Sequence, residues 1–388
     1  MTTPAQSAPV AVDRLTAVVD LDAVAHNIAI LRDRAGGTPV MAVVKADGYG
    51  HGAPQIARAA LDAGAAEIGV TTVDEALALR AAGITAPILS WLSTRGYRAA
   101  IEADVRLGVS SPRQLAGIVA DAHAAAVTAV VDVKVDTGLS RNGVAPAEWA
   151  ATVDALARAV ADGAVRLHGV FTHLAHAELP EHPFLDVQRD RLIAAAADLR
   201  ARGLDPVAVH AANSAATLTR ADLRFDLVRP GIAVYGRSPL AGDDCGLRPA
   251  MTLAAPVILI KRLAAGDGVS YGHTWIAPRD TVVGLVPAGY ADGVVRSLSN
   301  RFEVAIGGRR FPAVGRVCMD QFVVDLGPDG GGVSEGDTAV LFGGDRPGEP
   351  TAADWGDAVG TIDYEILTGV HGRVVRRYVG AEGPGTSR

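Results

Sequence analysis

A lysine that could react with a ligand follows directly after one of the apolar runs in this sequence. Lys45 directly follows the run at residues 40–44, and Gly48 and Gly50 come shortly after it. A lysine amine can bind an electrophilic carbon covalently, and glycines let a ligand approach the backbone closely. Because a lysine after a strand is usually a solvated end-cap, this position alone indicates little.

Similar polar residues stand at the ends of several later apolar runs or just beyond them. Each has an ordinary explanation, such as turn chemistry or a surface ion pair. In a parallel barrel, however, the strands end on one face, and phosphate often binds to backbone N–H groups after strands seven and eight. Together they predict a cavity for a phosphate-bearing cofactor whose electrophilic carbon lies near a lysine. The residues are Lys134, Arg141, His173, His210, Asn213, Ser214, Arg229, Gly231 and Ile232.

A metal site is the main competitor at this stage. The possible ligands follow the sixth and seventh runs: His173, His176, Glu178, His182 and His210. A metal-dependent barrel hydrolase would use such residues. The later strand ends supply arginines instead of a further carboxylate, which favours a site without metal. Neither G-x-G-x-x-G nor G-x-x-x-x-G-K-[ST] occurs, so the common nucleotide motifs do not apply.

Apolar runs that alternate with helical stretches must position these residues. Apolar residues recur at helical spacing at Leu21, Val24, Ile28 and Leu31, whereas the apolar runs are nearly continuous. Such alternation is typical of a parallel sheet covered on its outer face. Eight units match a (β/α)₈ barrel of about 250 residues, with an open doubly wound sheet as the alternative. The predicted strands are 40–44, 67–71, 86–92, 105–109, 127–135, 167–174, 207–211 and 226–235.

The pattern changes after residue 246. Short strand-like runs alternate with glycine-rich turns and with no helix of useful length, which predicts a separate all-β domain. The runs are 257–260, 281–286, 302–306, 311–317, 322–326 and 338–342. The predicted fold is therefore α/β, a barrel followed by a mostly-β domain. Its divisions are a disordered tail at 1–12, the barrel at 13–246, the β-domain at 247–380 and a second tail at 381–388.

Composition excludes several classes of function. With 49% hydrophobic and 20% charged residues among 388, the chain has ample material for a core. A net charge of −7 disfavours nucleic acid and anionic membranes as partners. We expect no membrane span and, from the small polar residues at 1–11, no signal peptide. Cys245 and Cys318 are too few for a disulfide framework, which favours the cytoplasm.

The sequence resembles the alanine racemases, which are fold-type III pyridoxal-phosphate enzymes, over residues 15–378. The most specific stretch is Ala42–Gly52, which is similar to the signature around the family's cofactor lysine. Weaker matches occur in order through both predicted domains: 135–138, 141–143, 213–214, 229–232, 269–273, 289–293, 317–321 and 364–365. The resemblance implies a homodimer with shared active sites that interconverts L-alanine and D-alanine, supplying D-alanine for the cell wall.

The resemblance also implies a role for individual residues. Lys45 would bind pyridoxal phosphate as a Schiff base, and Tyr271 of the partner subunit would be the base on the opposite face. Arg229 would face the pyridine nitrogen, which a guanidinium cannot protonate. His173 would lie between Arg229 and Tyr271. The cofactor would also contact Tyr49, Asn213, Ser214, Gly231, Ile232 and Tyr364, and Arg141 and the backbone at Met319 would bind the substrate carboxylate.

Some features remain open at this stage. Lys134 stands where some family members carry a carbamylated lysine, and the sequence does not decide whether it is modified. Glu178 occupies an entrance position that is aspartate in some relatives. Alternative functions are a racemase for serine or another small amino acid, and a non-catalytic pyridoxal-phosphate carrier. Such carriers usually lack a β-domain and an equivalent of Tyr271.

Overall fold

The structure, a computed structural model, describes residues 11–343 and 346–380. The chain divides into two compact units. The barrel unit contains residues 24–48 and 53–247, and the β unit contains the rest of the described chain. Of the tails predicted at 1–12 and 381–388, all but residues 11 and 12 lie outside the described residues. Within the described part, no helix is both long and apolar enough to cross a membrane.

A parallel sheet forms the centre of the barrel unit. Strand β1 (Thr16–Asp20) lies in the β unit, and the next seven strands pair in sequence order. They are β2 (Met41–Val43), β3 (Glu67–Val70), β4 (Ile88–Ser90), β5 (Val105–Val109), β6 (Ala129–Lys134), β7 (Val165–Phe171) and β8 (Ala208–His210). Seven of the eight predicted runs therefore contain a strand, and the predicted α/β barrel class is confirmed.

The segment around Val228 closes this sheet. Val228 forms a parallel bridge with Val40, and its carbonyl accepts a hydrogen bond from the Met41 amide at 2.8 Å. On its other side the Arg229 amide donates to the Ala212 carbonyl at 2.8 Å. The first and last parts of the barrel sheet are thus joined by backbone hydrogen bonds.

The eighth predicted strand, 226–235, was too long. Pro230 has no amide hydrogen, so it cannot donate to a ladder, and residues Ile232–Tyr235 form a 3₁₀ helix. Only the bridge at Val228 remains of the strand. The chain turns at Gly231 instead of continuing the sheet, and the backbone there stays buried.

Helices follow most strands of the barrel unit. They are α1 (Leu21–Ala35), α2 (Lys45–Tyr49), α3 (Ala53–Asp62), α4 (Val73–Ala81), α5 (Tyr97–Glu102), α6 (Pro112–Ala125), α7 (Pro146–Ala161), α8 (Phe184–Ala201) and α9 (Ser214–Thr219), with a 3₁₀ turn at Ala221–Leu223. Three of the four residues predicted on one face of α1, namely Val24, Ile28 and Leu31, are completely buried, whereas Leu21 at the first position of the helix is half-buried. The short element α2 has unusual dihedral angles and belongs to the site.

The β unit contains a nine-stranded sheet in the order β10-β13-β16-β15-β14-β17-β9-β1-β18. Its other strands are β9 (Met251–Pro256), β10 (Leu259–Leu263), β13 (Thr281–Val286), β14 (Glu303–Ile306), β15 (Arg309–Val314), β16 (Phe322–Gly327), β17 (Thr338–Phe342) and β18 (Val375–Val379). A separate pair consists of β11 (Gly268–Val269) and β12 (Trp275–Ile276). Short 3₁₀ turns lie at Tyr271–His273, Tyr290–Asp292, Arg296–Leu298 and Gly330–Gly332, and two helices are α10 (Ala352–Val359) and α11 (Asp363–Thr368).

The first strand differs from the predicted division of the chain. The sequence placed residues 13–246 in the barrel, but β1 lies between β9 and β18, with Thr16 opposite both Ala254 and Val375. Pairing on both edges satisfies the backbone polar groups of β1 inside the larger sheet. Residues 16–20 therefore belong to the β unit. Strands β9 and β18 and helices α10 and α11 were also missed.

We expect Trp355 to anchor α10 to the sheet of the β unit. Its buried ring lies 5.2 Å from the rings of both Phe302 and Phe342, nearly perpendicular to each. Trp355→Ala should lower the free energy of unfolding by about 3–5 kcal/mol because it leaves a cavity. Denaturant unfolding followed by circular dichroism measures this, with Trp355→Phe as a control that should lose less. A loss for the alanine variant below about 1 kcal/mol, typical of a surface change, would contradict this anchoring role.

Candidate active site

The lysine singled out from the sequence begins a left-handed turn. Lys45 comes after β2, separated from it by Val44, and starts α2. In α2, Ala46 has φ 53° and ψ 51° and Asp47 has φ 52° and ψ 47°. Gly48 continues the turn at φ 62°, and Tyr49 ends it at φ 51°. Left-handed geometry costs an L-residue roughly 1–2 kcal/mol, and only the glycine avoids this cost. The surrounding structure must therefore hold the turn in place.

The Glu75 carboxylate holds the start of this turn. One oxygen accepts a hydrogen bond from the Ala46 amide at 2.7 Å, and the other accepts from the amides of Thr71 and Thr72 at 2.8 and 3.0 Å. Thr72 and Glu75 form the capping box of α4. Sequence reasoning missed Glu75, although the T-x-x-E pattern of a capping box was visible there. Its second contact, to the turn, had no sequence signal.

Four cationic side chains lie close enough in the barrel unit to affect one another. Burial lowers the pKa of Lys45, Arg141 lowers it further, and Glu75 opposes them. Burial also lowers the pKa of Lys134 to about 8, with added repulsion from Arg229, Arg141 and Lys45. The structure thus brings together the lysines and arginines that the sequence predicted to converge. Such a cluster favours loss of protons from its lysines and attracts anions.

Arg229 is the buried cation of this cluster. Its Nη1 donates to His210 Nδ1 at 2.9 Å, and its Nη2 donates to the carbonyls of Thr172 and Ala211 at 2.6 and 3.2 Å. The guanidinium carbon lies 5.3 Å from the centre of the Phe171 ring. Burial lowers the pKa of Arg229 to about 10, so the side chain still carries its charge at neutral pH.

His173 is a neutral group beside these cations. Burial lowers its pKa well below the usual value, and the charges of Arg229, Lys134 and Arg141 lower it further. Gln188 fixes the backbone here, since its Nε2 donates to the His173 carbonyl at 3.0 Å while its Oε1 accepts from the Ala175 amide at 2.8 Å. An uncharged imidazole can donate from one nitrogen and accept at the other.

Ser214 organises the backbone at the end of the barrel sheet. Its hydroxyl oxygen accepts from the amides of Gly231 and Ala233 at 2.9 and 3.2 Å. A serine that accepts twice still has a hydrogen to donate to a ligand. The Asn213 side chain accepts from the Ala216 amide at 3.1 Å and caps α9. Ile232 is buried at the start of the 3₁₀ helix that follows.

The remaining predicted site residues lie in the β unit. The rings of Tyr49 and Tyr364 are 6.3 Å apart, and burial raises the pKa of Tyr49 above its ordinary value. Tyr271 is 71% exposed and Met319 is 53% exposed. The Met319 carbonyl accepts from the Ala291 amide at 3.0 Å.

The Met319 loop is fixed on both sides. A Cβ atom at Gly289 would lie 2.2 Å from the Met319 carbonyl oxygen, so only glycine permits this approach. Arg373 donates to the buried Asp292 at 2.7 Å and also to Asp320. The geometry of the backbone at Met319 is therefore set by neighbouring residues. Sequence reasoning did not identify Arg373.

The histidines considered as metal ligands have other contacts. The rings of His176 and His182 stack with their centres 3.9 Å apart, and His210 accepts from Arg229. Glu178 is exposed. Across residues 11–343 and 346–380, no three His, Cys, Asp or Glu side chains are grouped so that they could hold a metal ion. The hydrolase alternative therefore lacks a ligand set in this part of the chain.

Two models of known protein domains match successive parts of the chain. Residues 19–239 match the family model described as alanine racemase, N-terminal domain, and residues 250–378 match alanine racemase, C-terminal domain. The chain is 60% identical over 371 residues to an alanine racemase of Mycolicibacterium vanbaalenii, covering 95% of each protein.

Solved structures of alanine racemases also match this chain. The crystal structure of alanine racemase from Streptomyces lavendulae matches with a TM-score of 0.92 and 49% identity, covering 96% of this chain and 98% of that one. The alanine racemase of Bacillus anthracis, solved with bound L-Ala-P, matches with a TM-score of 0.86 and 35% identity over 96% of each chain.

Lys134→Met should stabilise the protein at pH 7, without cofactor, by roughly 1–3 kcal/mol. Below its folded pKa of about 8, Lys134 is protonated in both states, and the folded state bears the cost of a buried cation. Between that value and about 10.4 the folded state loses the proton first, so wild-type stability rises with pH and the variant's advantage shrinks. Denaturant unfolding from pH 7 to 10, in buffer free of carbon dioxide, measures this.

The exposed Lys261 provides the matched control. Lys261→Met removes the same charge from a solvated site, so it should give no gain that disappears with rising pH. A Lys134→Met variant that is no more stable than wild type at pH 7 would show that the lysine is not held in a repulsive environment.

Proposed function

The chain belongs to the alanine racemase family and is an amino-acid racemase that acts on a small amino acid, and from this we propose its mechanism. It interconverts L-alanine and D-alanine with pyridoxal phosphate as cofactor and Lys45 and Tyr271 as two bases. The observation that carries the proposal is Lys45 itself, placed at the end of β2, with a lowered pKa among cationic side chains.

The residues of the barrel unit fit an anionic cofactor that carries an aldehyde. Lys45, Lys134, Arg141 and Arg229 supply positive charge for its phosphate and ring oxygen, and the lowered pKa of Lys45 increases the share of neutral, nucleophilic amine. When bound, pyridoxal phosphate withdraws electrons and makes the α-proton of an amino acid removable. No other side chain of this cluster lies directly at the end of β2.

Residues at the strand ends would hold the cofactor in place. The Ser214 hydroxyl and the Ile232 amide would donate to the phosphate group, next to the Gly231 amide that donates to Ser214, and Asn213 supports them by capping α9. Tyr49 and Tyr364 add hydroxyl groups. Arg229 would lie against the pyridine nitrogen and donate a hydrogen bond to it. Because the guanidinium is charged at neutral pH, it cannot accept a hydrogen bond from a protonated ring nitrogen.

Racemisation requires proton carriers on opposite faces of the substrate. Lys45 Nζ would remove or return the proton on one face, and the hydroxyl of Tyr271 would do so on the other. His173, neutral in its surroundings, would lie between Arg229 and Tyr271 and contribute to their arrangement. Arg141 and the Met319 backbone would bind the substrate carboxylate, with the Met319 loop fixed by Arg373.

The relative from Bacillus anthracis, solved with bound L-Ala-P, supports alanine as the substrate. D-alanine made here would serve cell-wall synthesis. We place the protein in the cytoplasm, in agreement with two cysteines, Cys245 and Cys318, that form no disulfide.

Lys45→Ala should abolish racemisation and the covalent capture of cofactor. In the wild type, borohydride reduction should fix pyridoxal phosphate to Lys45, as peptide mass mapping would show, because this amine is the one poised to react. Lys134→Ala is the matched control, since it removes a lysine from the same cluster and should leave the label on Lys45. Cofactor fixed to Lys134, or racemase activity that survives Lys45→Ala, would refute the assignment.

Two inactive variants should rescue one another if each site uses residues of two subunits. Lys45 lies in the barrel unit and the exposed Tyr271 in the β unit, and we propose that Tyr271 serves the partner's site. Equal mixing of Lys45→Ala and Tyr271→Ala dimers should make about half of the dimers mixed and restore roughly a quarter of the sites. Racemase assays after subunit exchange measure this recovery.

Subunit exchange must be verified independently, for example by differently tagged chains that co-purify after mixing. With exchange complete, activity that stays at the sum of the two variants would mean that Tyr271 acts in its own chain's site or not at all.

A further inference from the structure

A chain of polar side chains, all buried except the half-buried Glu67 at its start, crosses the barrel unit. It begins with Glu67 on β3, which pairs with Arg106 on β5. It continues through Asp132 on β6 to His210 on β8 and ends at Arg229. Asp132 and His210 are completely buried. Groups buried this deeply contribute strongly to the orientation of their neighbours because water does not screen them.

The hydrogen bond between His210 and Arg229 has only one possible direction. A guanidinium donates and cannot accept, so His210 Nδ1, 2.9 Å from Arg229 Nη1, must be the acceptor. Burial lowers the pKa of His210 well below its ordinary value, so the ring is neutral and carries one proton. That proton must therefore lie on Nε2. The opposite tautomer would place two N–H groups against each other.

Asp132 faces the nitrogen that must carry the proton. Its Oδ2 lies 3.9 Å from His210 Nε2. Burial disfavours the charge of Asp132, but a hydrogen bond from His168 and the charge of Arg106 outweigh it and keep its pKa below the usual value. The carboxylate is therefore ionised. A negative charge at this distance in a buried setting favours N–H on the facing nitrogen.

Packing fixes the position of the His210 ring, so its tautomer is the main property that can change. Its ring stacks on Phe171 with centres 4.9 Å apart and planes within 5°. Phe171 also lies against Arg229. Asp132 is fixed in turn, because its Oδ1 accepts from His168 Nδ1 at 2.8 Å and its Oδ2 lies 3.8 Å from Arg106 Nε. A ring held in this way can respond to its surroundings mainly by moving its proton.

We propose that Asp132 is a positioning residue that selects the Nε2–H tautomer of His210 and thereby holds Arg229 in place. The tautomer itself depends only on the barrel unit, whereas its effect on catalysis rests on the proposed function. Asp132→Asn should oppose this tautomer instead of supporting it, so that only Arg229 still favours Nε2–H. The Asn oxygen can still accept from His168, which leaves its NH₂ group facing His210 Nε2. A donor there favours the Nδ1–H tautomer, which cannot accept from Arg229.

Nitrogen NMR on the full-length chain with labelled histidine tests the tautomer directly, with and without added pyridoxal phosphate. His210→Asn identifies the signal. We expect Nε2–H in the wild type and a shift towards Nδ1–H in Asp132→Asn. A wild-type ring in the Nδ1–H form would overturn the proposal without any variant, and so would an unchanged tautomer in folded Asp132→Asn.

A double-mutant cycle tests the consequence for Arg229. His210→Asn retains an acceptor oxygen near the position of Nδ1 and has no tautomer to select. Asp132→Asn should reduce kcat by about 10–100-fold in the wild-type background, with little change in KM for alanine, because Arg229 faces the cofactor. In the His210→Asn background it should reduce kcat less than about twofold. An equal reduction in both backgrounds would show that Asp132 acts by another route.

Glu67→Gln is the matched control. It makes the same change from carboxylate to amide in the same buried chain, but Glu67 contacts Arg106 and not His210. It should lower stability without changing the tautomer. If it shifts the His210 signal as Asp132→Asn does, general loss of charge explains the effect and the proposal fails. These signals do not depend on bound cofactor, so failure of the proposed racemase chemistry would leave them readable.

Discussion

Repulsion among four cationic side chains is the physical constraint that shapes the candidate site of the barrel unit. Lys45, Lys134, Arg141 and Arg229 lie near one another where burial already disfavours charge. Two carboxylates partly offset this repulsion. Glu75 raises the pKa of Lys45, and Asp132 raises the pKa of the buried Arg229. The balance remains positive in the cluster itself. Lowered lysine pKa values and affinity for an anionic ligand are therefore two results of a single arrangement.

The same carboxylates also fix the backbone and side chains that carry the charges. Glu75 binds three amides and so holds the left-handed turn that begins at Lys45. Asp132 is bound by His168 and lies beside His210, which binds Arg229. Charge compensation and positioning are thus done by the same groups. A carboxylate that does both is harder to replace than a surface ion pair, which contributes little.

Features determined by local pattern could be predicted from the sequence, and those determined by distant pairing could not. Strand ends followed by Lys45, His173 and Arg229 were visible because apolar runs and glycines are local signals. Asp132 lies inside a predicted apolar strand, where one buried carboxylate leaves the pattern unchanged. The position of β1 depends on partners near residues 254 and 375, and its apolar residues would suit either unit. The periodicity of these residues therefore does not tell which unit contains β1.

The position of β1 has a consequence for biosynthesis. Among the described strands β1 is made first, yet its neighbour β18 is made last. At roughly 5–20 residues per second, β1 must remain unpaired on that side for on the order of tens of seconds. During this time the barrel residues emerge from the ribosome and can fold, while the edge of β1 that pairs with β18 has no partner strand. The nine-stranded sheet of the β unit can therefore be completed only after every residue of the barrel unit has been made.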